Sequence, residues 1–431
     1  MVKCVICGEI FEDGLEVCPV CGVGKEFFES VAVETPTFQQ DTNETIVIIG
    51  NGVAALASAT ALRERNKTCS IIMIGNESEL SYHRPMLTKS MLNEFNPTDL
   101  LIHDENWYAE QSIENRLNIE GTQIESDKNI IHLSNGECLS YDQLVIATGA
   151  ECFMPPIDGI QKEGVMAIRR ISDIIQLNKQ LNQVRDAVVI GGGILGLEAA
   201  WELSKAGCKV HVLELAPQIM GRQLDEEGSS ILKSIIASVN IDVTCGVPIK
   251  AIAGKSSVEK VILSDGTVIP AQLVIISAGI APNIALAKDA GLNVERSIVV
   301  NDFMQTSHLN IYAVGDCAQF KGINLGNYSQ AKEMGTVAGA NIAKDTTTYQ
   351  INPSGLSFNG LNTSLYVMGD NGKDASKTYS TKEFKDLDKL TYEKYYFIED
   401  ILCGFILIGD TSKMVKLNEA IEKKTKVNDL F

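Results

Sequence analysis

The sequence predicts an α/β fold in which one nucleotide-binding cassette is built twice. A cysteine-rich module precedes the pair and a small C-terminal α+β domain follows it. Three observations predict this. A strand–glycine turn–helix pattern runs from Thr45 to Leu62 and again from Ala187 to Ala206. After each, an apolar strand breaks at a glycine, at Tyr141–Gly149 and at Ala271–Gly279. Two CxxC pairs stand within the first 38 residues. The length, 431 residues, suits about three domains at roughly 150 residues each.

Composition narrows the class. With 45% hydrophobic and 21% charged residues, the chain has enough apolar surface to fold. Its 37 basic residues face 55 acidic ones, a net charge of −18. Such a surface repels phosphate backbones, which argues against nucleic acid and anionic membranes. Eleven cysteines are too dilute in so long a chain for a disulfide scaffold. Met1–Ile10 has no charged-then-apolar signal pattern, so a cytoplasmic location is expected. There a cysteine cluster points to metal or redox chemistry. Thr45–Leu62 carries no charge over 18 residues, near the length of a membrane span. Gly50, Asn51 and Gly52 divide it into a β-branched run and an Ala-rich run, so it reads as strand, turn and helix rather than a span.

The first cluster is Cys4, Cys7, Cys18 and Cys21, two CxxC pairs ten residues apart, followed by Gly8 and Gly22. Four thiolates on two tight turns make a tetrahedral sulfur site. Ligand softness favours zinc or iron, and spacing does not choose between them. Residues 1–38 hold 2 basic and 7 acidic residues, Glu12 and Glu34 among the latter. An acidic carrier docks on a complementary surface. The polar stretch up to Thr45 reads as a linker.

In the first cassette the strand Thr45–Ile49 leads into Gly50, Gly52, Val53, Ala54 and Ala55, a GxGxxA turn opening a helix. The glycines permit close backbone approach and the helix N-terminus receives a pyrophosphate. The next strand ends near Glu77, placed to hold ribose hydroxyls. The second cassette repeats this with Gly191, Gly193 and Gly196 and an acidic strand end at Glu214. Ala147, Thr148 and Gly149 close one returning strand and Gly279 the other, where a backbone can pass close to a ligand. A last strand delivers Gly315 and Asp316. The chain thus contains an internal duplication of a Rossmann-like dinucleotide-binding fold.

The order GxGxxA, ATG, GxGxxG, xxG, AxGD over residues 45–320 resembles the two-dinucleotide-fold FAD/NAD(P)H reductases. That resemblance implies FAD on the first cassette, with Asp316 accepting a ribityl hydroxyl, and the nicotinamide nucleotide on the second. Ile124 matches the family position whose backbone meets the FAD adenine. Cys18–Glu29, CPVCGVGKEFFE, and Cys4–Glu12, CVICGEIFE, resemble the two metal turns of rubredoxins. The spacer is shorter than in free rubredoxins and closer to rubredoxin-like modules attached to larger redox proteins. This implies one iron held by four cysteines, with zinc as the alternative.

Tyr82–Lys89, YHRPMLTK, resembles the xxRPxLSK segment of ferredoxin and rubredoxin reductases. There Arg84 and Pro85 would lie along the flavin, and Lys89 near the isoalloxazine, paired with Glu198. Lys89 could then stabilise charge developing on hydride arrival. The redox cysteine pairs of the disulfide reductases are missing. Cys69, Cys138, Cys152, Cys208, Cys245, Cys317 and Cys403 stand alone and read as small buried hydrophobes, with Cys317 the one to check against the flavin. Glu214 would accept from a ribose 2′-OH and repel a 2′-phosphate, which favours NADH over NADPH.

The expected domains are a metal module at 1–38, a linker at 39–44, an FAD unit at 45–160 and 283–350, an NAD unit at 161–282, and a C-terminal α+β domain at 355–431 after a break at Pro353–Gly355. Strands are expected at Leu361–Met368, Leu390–Ile398 and Ile401–Ile408, with a helix about Ser412–Lys423. The near-neutral region Lys373–Lys426, with Lys382, Lys385 and Lys389, is the expected docking surface for the acidic module. The expected activity is NADH-dependent reduction of FAD, then of the fused iron site. An external acceptor protein follows, such as a rubredoxin-linked oxygen- or peroxide-reducing enzyme. Two alternatives stay open. The tetrad could be a zinc ribbon on a reductase serving a separate rubredoxin or a nitrite-reductase-like partner. Or the chain could be an NADH-responsive, redox-controlled binding protein.

Overall fold

A computed structural model describes the chain except residues 12, 33–35, 93–94, 352–354 and 431. Glu12, Glu34 and Pro353, used above, lie outside the described residues. The first parallel sheet runs in the order Ile311–Ala313, Gln143–Ile146, Thr45–Ile49, Ser70–Ile74, Ile113–Arg116. Its inner strands are apolar on both sides of the pleat because helices and loops cover both faces; Ile46, Val47 and Ile48 have no exposed surface. The second parallel sheet runs Val165–Ala167, Leu273–Ile276, Asp186–Ile190, Lys209–Glu214, Asp242–Cys245.

The duplication holds to the level of register. Ile49 pairs with Ile146 in one sheet, and Ile190 with Ile276 in the other. Each sheet also carries a three-stranded antiparallel sheet, Gly121–Glu125 with Ile130–Leu133 and Cys138–Ser140 in the first, and Ile249–Ala253 with Lys260–Leu263 and Val268–Pro270 in the second. Ala150–Cys152 and Ile280–Pro282 pair antiparallel where the chain leaves and re-enters the first unit.

The helix Val53–Arg65 packs on Tyr328–Ile342 at backbone distance. A Cβ at Gly335 would lie 2.2 Å from the Ala54 carbonyl oxygen, and one at Gly339 2.3 Å from that of Ser58. Only glycine allows this approach.

The C-terminal sheet is antiparallel, in the order Leu356–Gly360, Thr363–Gly369, Ile401–Ile408, Thr391–Ile398, Ser380–Asp386, with the helix Met414–Glu422. The two outer strands were not expected. Ser380–Asp386 is almost wholly exposed and, with Phe384 its single apolar residue, it shows no apolar alternation.

The N-terminal module forms a small sheet of Ile10–Phe11, Val2–Cys4 and Phe28–Ser30. Its Ile6, Val20 and Val23 share one core with Tyr366, Met368, Tyr395, Phe405 and Met414 of the C-terminal domain. The module thus meets the expected region through Tyr395, Phe405 and Met414, but not through its lysines. Lys385 pairs with Glu227, and Lys389 with Asp386, while Lys382 lies on the edge strand Ser380–Asp386. The module docks through apolar side chains, which gain more from leaving water than surface charges gain from pairing. The chain that leads on from it is pinned: Gln40 N–H donates to the Arg65 carbonyl at 2.8 Å.

Candidate active site

A cleft of about 980 Å³ opens at the C-terminal ends of the first sheet's strands. Gly50, Gly52, Val53 and Ala54 line it from the first glycine turn, and Ala147, Thr148 and Gly149 from the returning strand. Glu77, Arg84, Pro85, Gly315 and Asp316 complete the wall. These segments lie far apart in sequence and meet here because parallel strands deliver their C-terminal loops to one edge. Gly50 shows why the turn is glycine: its φ is +122°, and a Cβ would fall 2.1 Å from the Ala147 carbonyl oxygen. Space around Gly52 is open. An open backbone cradle, a helix N-terminus and a volume near the top of the ordinary range for small-molecule sites (~300–1,000 Å³) fit a dinucleotide such as FAD.

Glu77, Arg84 and Asp316 of the wall are paired. Glu77 accepts from Arg84 at 2.6 Å and from the Tyr82 hydroxyl at 2.7 Å. Asp316 accepts from Arg169 at 2.8 Å, a residue that no sequence motif signalled. Ala55 is buried in the helix. Ile124 also faces the core, and the adjoining cleft wall is formed by Ile119, Glu120 and Gly121.

The second cassette reaches the cleft through Ile194 and Leu195 at the start of its helix. Its glycine turn repeats the first: Gly191 has φ +121°, and a Cβ there would lie 2.1 Å from the Ser277 carbonyl oxygen. Gly196 packs on Gly191, where a Cβ would lie 2.1 Å from the carbonyl oxygen, and Gly193 is open. Gly279 ends the returning strand, with open space where a Cβ would stand. Glu214 turns back onto this loop. Its carboxylate accepts the Gly192 N–H at 2.7 Å and the Ala216 N–H at 2.8 Å.

The C-terminal domain holds the segment that follows. Asn371 donates to the Arg222 carbonyl and Lys373 to that of Leu224, both at 2.7 Å. Asp225, the N-cap of helix Glu226–Ser238, accepts from Tyr392 at 2.8 Å and Lys394 at 2.6 Å. Burial pushes the Asp225 carboxyl up, but hydrogen bonds from Lys394, the Gly228 N–H and Tyr392 outweigh it and hold it below the usual range.

Lys89 joins the two cassettes. Its ammonium lies 3.5 Å from Glu198, which also accepts from Thr88 at 2.6 Å. Glu198 is buried, so the pair is shielded from solvent screening.

The four cysteines converge. Their sulfurs all lie within 4.8 Å of one another, and among the described residues no other group of this kind could hold a metal ion. Cys4 and Cys18 are buried. The donor set fits a tetrahedral thiolate site for iron or zinc.

The module's knuckles face the cleft wall. A Cβ at Gly22, next to Cys21, would lie 3.2 Å from Cε and 3.3 Å from Nζ of Lys89. The Ser329 hydroxyl donates to the Cys7 carbonyl at 2.9 Å. Lys332 forms an ion pair with the buried Glu9. Tyr328 lines the cleft and also packs on the module's core. Its hydroxyl lies 3.2 Å from His83 Nδ1. Burial holds the His83 imidazole down to about 4, so it is neutral at pH 7.

Tyr328, Ser329, Lys332 and His83 were missed from sequence. The one available signal was that His83 stands directly before Arg84 in the Tyr82–Lys89 segment. Cys317 is buried, with its thiol directed to the Ile146 and Val314 carbonyls and away from the cleft. Burial pushes that thiol up, as expected of a packing residue. Among the described residues no helix is long and apolar enough to cross a membrane.

Residues 44–340 match the pyridine nucleotide-disulphide oxidoreductase family, and residues 357–425 match the rubredoxin NAD+ reductase C-terminal domain. The assimilatory nitrate reductase electron transfer subunit of Bacillus subtilis (strain 168) is 31% identical over 387 residues, 89% of this chain and 50% of that protein. The NADH-rubredoxin oxidoreductase of Clostridium acetobutylicum is 29% identical over 389 residues, 89% of this chain and 96% of that one. A solved ferredoxin reductase from Rhodopseudomonas palustris is similar at TM-score 0.81 and 26% identity, covering 89% of this chain and 96% of that one. The chain spans about half the length of the first of these relatives.

Proposed function

The chain belongs to the pyridine nucleotide-disulphide oxidoreductase family, and on that premise we propose an NADH-dependent flavoprotein with a fused rubredoxin-like electron carrier. Electrons would pass from NADH to FAD, to an iron site on Cys4, Cys7, Cys18 and Cys21, and to an external acceptor protein. An acceptor of the oxygen- or peroxide-reducing class suits such a chain. FAD supplies the conversion of a two-electron hydride donor into single electrons.

The residues of this chain bind and orient. The cradle at Gly50–Ala55 holds the pyrophosphate, Glu77, Arg84, Pro85, Ala147–Gly149, Gly315 and Asp316 surround the rest of FAD, and Ile124 contributes only its backbone, at the adenine. Gly191, Gly193, Gly196, Gly279 and Glu214 hold the nicotinamide nucleotide, with Glu214 favouring NADH. Lys89, fixed by Glu198, presents positive charge where negative charge develops. In this reading residues 45–160 and 283–350 are the flavin unit, and 161–282 the nicotinamide unit.

The observation that carries the proposal is the orientation of the metal module. Its second knuckle, at Gly22, rests on Lys89 beside the cleft. An inert metal staple would gain nothing from that orientation. Anaerobic stopped-flow reduction by NADH, following flavin and metal absorption separately, tests it. Metal reduction that lags the flavin at a rate independent of protein concentration is the expected result. A colourless tetrad holding zinc would sink the carrier reading and leave a flavin reductase that serves a separate rubredoxin. The burial of Ile6, Val20 and Val23 in a common core is the observation on that side.

A further inference from the structure

The antiparallel sheet beside the first cassette carries a thiol, an imidazole and a carboxylate in series. Strands Gly121–Glu125, Ile130–Leu133 and Cys138–Ser140 contribute one each. His132 and Cys138 are paired across neighbouring strands. Cys138 Sγ lies 3.2 Å from His132 Nδ1, and His132 Nε2 lies 2.6 Å from Glu125 Oε1. The second carboxylate oxygen of Glu125 accepts from Lys128 at 2.5 Å. Hydrogen bonds from Lys128 and then His132 hold the Glu125 carboxyl below its usual range, so it is ionised at neutral pH. The nearby Arg116 and Glu137 pair with each other at 2.9 Å.

This order fixes the tautomer. An ionised Glu125 accepts from Nε2–H, which leaves Nδ1 as the acceptor facing the thiol. A nucleophile beside a base that is itself oriented by a third group is the general arrangement of an activated thiol. The three groups run in a line rather than converging, which separates them from the metal-binding tetrad. Cys138 is also exposed, whereas the remaining cysteines are buried or half-buried.

We propose that Cys138 is a nucleophilic thiol that exchanges with small-molecule disulfides, activated by His132 and Glu125. In this step His132 Nδ1 takes the thiol proton and the Cys138 sulfur attacks one sulfur of R–S–S–R. The old S–S bond breaks as the Cys138–S–S–R bond forms. The leaving thiolate takes the proton back from His132. One disulfide is consumed and one formed, so no further oxidant is needed. The step involves neither the cleft nor the tetrad.

The test uses the full-length holoprotein, with glutathione disulfide as the probe and peptide mapping as the readout. At pH 7 Cys138 should be modified before any other cysteine, and H132Q should slow this by about tenfold or more. E125Q, a second variant that keeps the ring, should give an intermediate rate, and C138S should abolish the adduct. Equal rates for the natural chain and both ring-relay variants would overturn the proposal, as would a Cys138 that stays unmodified.

Discussion

The two cassettes share strand register, glycine geometry and an acidic strand end, yet they present themselves differently. The first opens its glycine turn onto a cleft of about 980 Å³. The second folds its acidic residue back, with both Glu214 oxygens on the loop's own N–H groups. Its following segment is held by Asn371, Lys373, Tyr392 and Lys394 from another domain. A standing cavity suits a group that stays. A loop satisfied by its own carboxylate suits a ligand that comes and goes, because Glu214 keeps the backbone donors paired in between.

The largest effect should come from matched substitutions in the two turns. Gly50→Ala and Gly191→Ala each put a Cβ 2.1 Å from a carbonyl oxygen at strongly positive φ, at a backbone cost of about 1–3 kcal/mol before the clash is relieved. G50A should emerge from gel filtration without flavin. G191A should keep its flavin and show an NADH KM raised by about tenfold or more. Loss of flavin from both would break the division of labour.

Next is the pair that spans the cassettes. Lys89→Met should slow flavin reduction by NADH by about 10²-fold, with flavin content unchanged, and Glu198→Gln by less. Because Lys89 also abuts Gly22, K89M should slow transfer to the metal as well. A slowed first step with an unaltered second would confine Lys89 to the flavin.

Glu214→Arg removes both loop acceptors and adds a phosphate-binding cation. The ratio of kcat/KM for NADH over NADPH should fall by about tenfold or more, the loss of one charge-assisted contact of about 1.5–3 kcal/mol. An unchanged ratio would mean that Glu214 closes the loop without reading the ribose.

The smallest effect concerns the clamp. Asp225 has a carboxyl lowered by its partners. A folded-state pKa below the unfolded value stabilises the fold above about pH 4. That contribution is lost as pH falls through the lowered value. The natural chain should therefore lose stability in acid more steeply than Asp225→Asn, by calorimetry between pH 5 and the acid limit. Parallel curves would remove the clamp from the comparison.

The legible parts of the site are those whose physics is local. A turn that tolerates only glycine announces itself in the sequence, so Gly50, Gly191 and Gly315 could be read directly. The CxxC pairs are equally local. Arg169 meets Asp316 across 147 positions of chain, and nothing near either residue encodes the meeting. The region on which the N-terminal module docks was legible, but the force was misjudged because charge was the visible quantity in the lysine-rich tail. The apolar faces of Tyr366, Tyr395 and Phe405 decided it instead, and burial of single side chains cannot be seen in one dimension. The strand Ser380–Asp386 escaped for the opposite reason, since an exposed edge has no buried face to give it a period.

The close seat of Tyr328–Ile342 on Val53–Arg65 has a consequence for how the chain is made. The first cradle emerges from the ribosome early, but its partner helix and Asp316 follow more than 250 residues later. The metal module waits longer still for Tyr366, Phe405 and Met414. Pairings across such spans are slow to form. The nucleotide unit in between can finish first, as an autonomous domain inserted into an unfinished one. Truncations that stop before residue 342 should therefore leave the first cradle open to proteases while the second cassette is already protected.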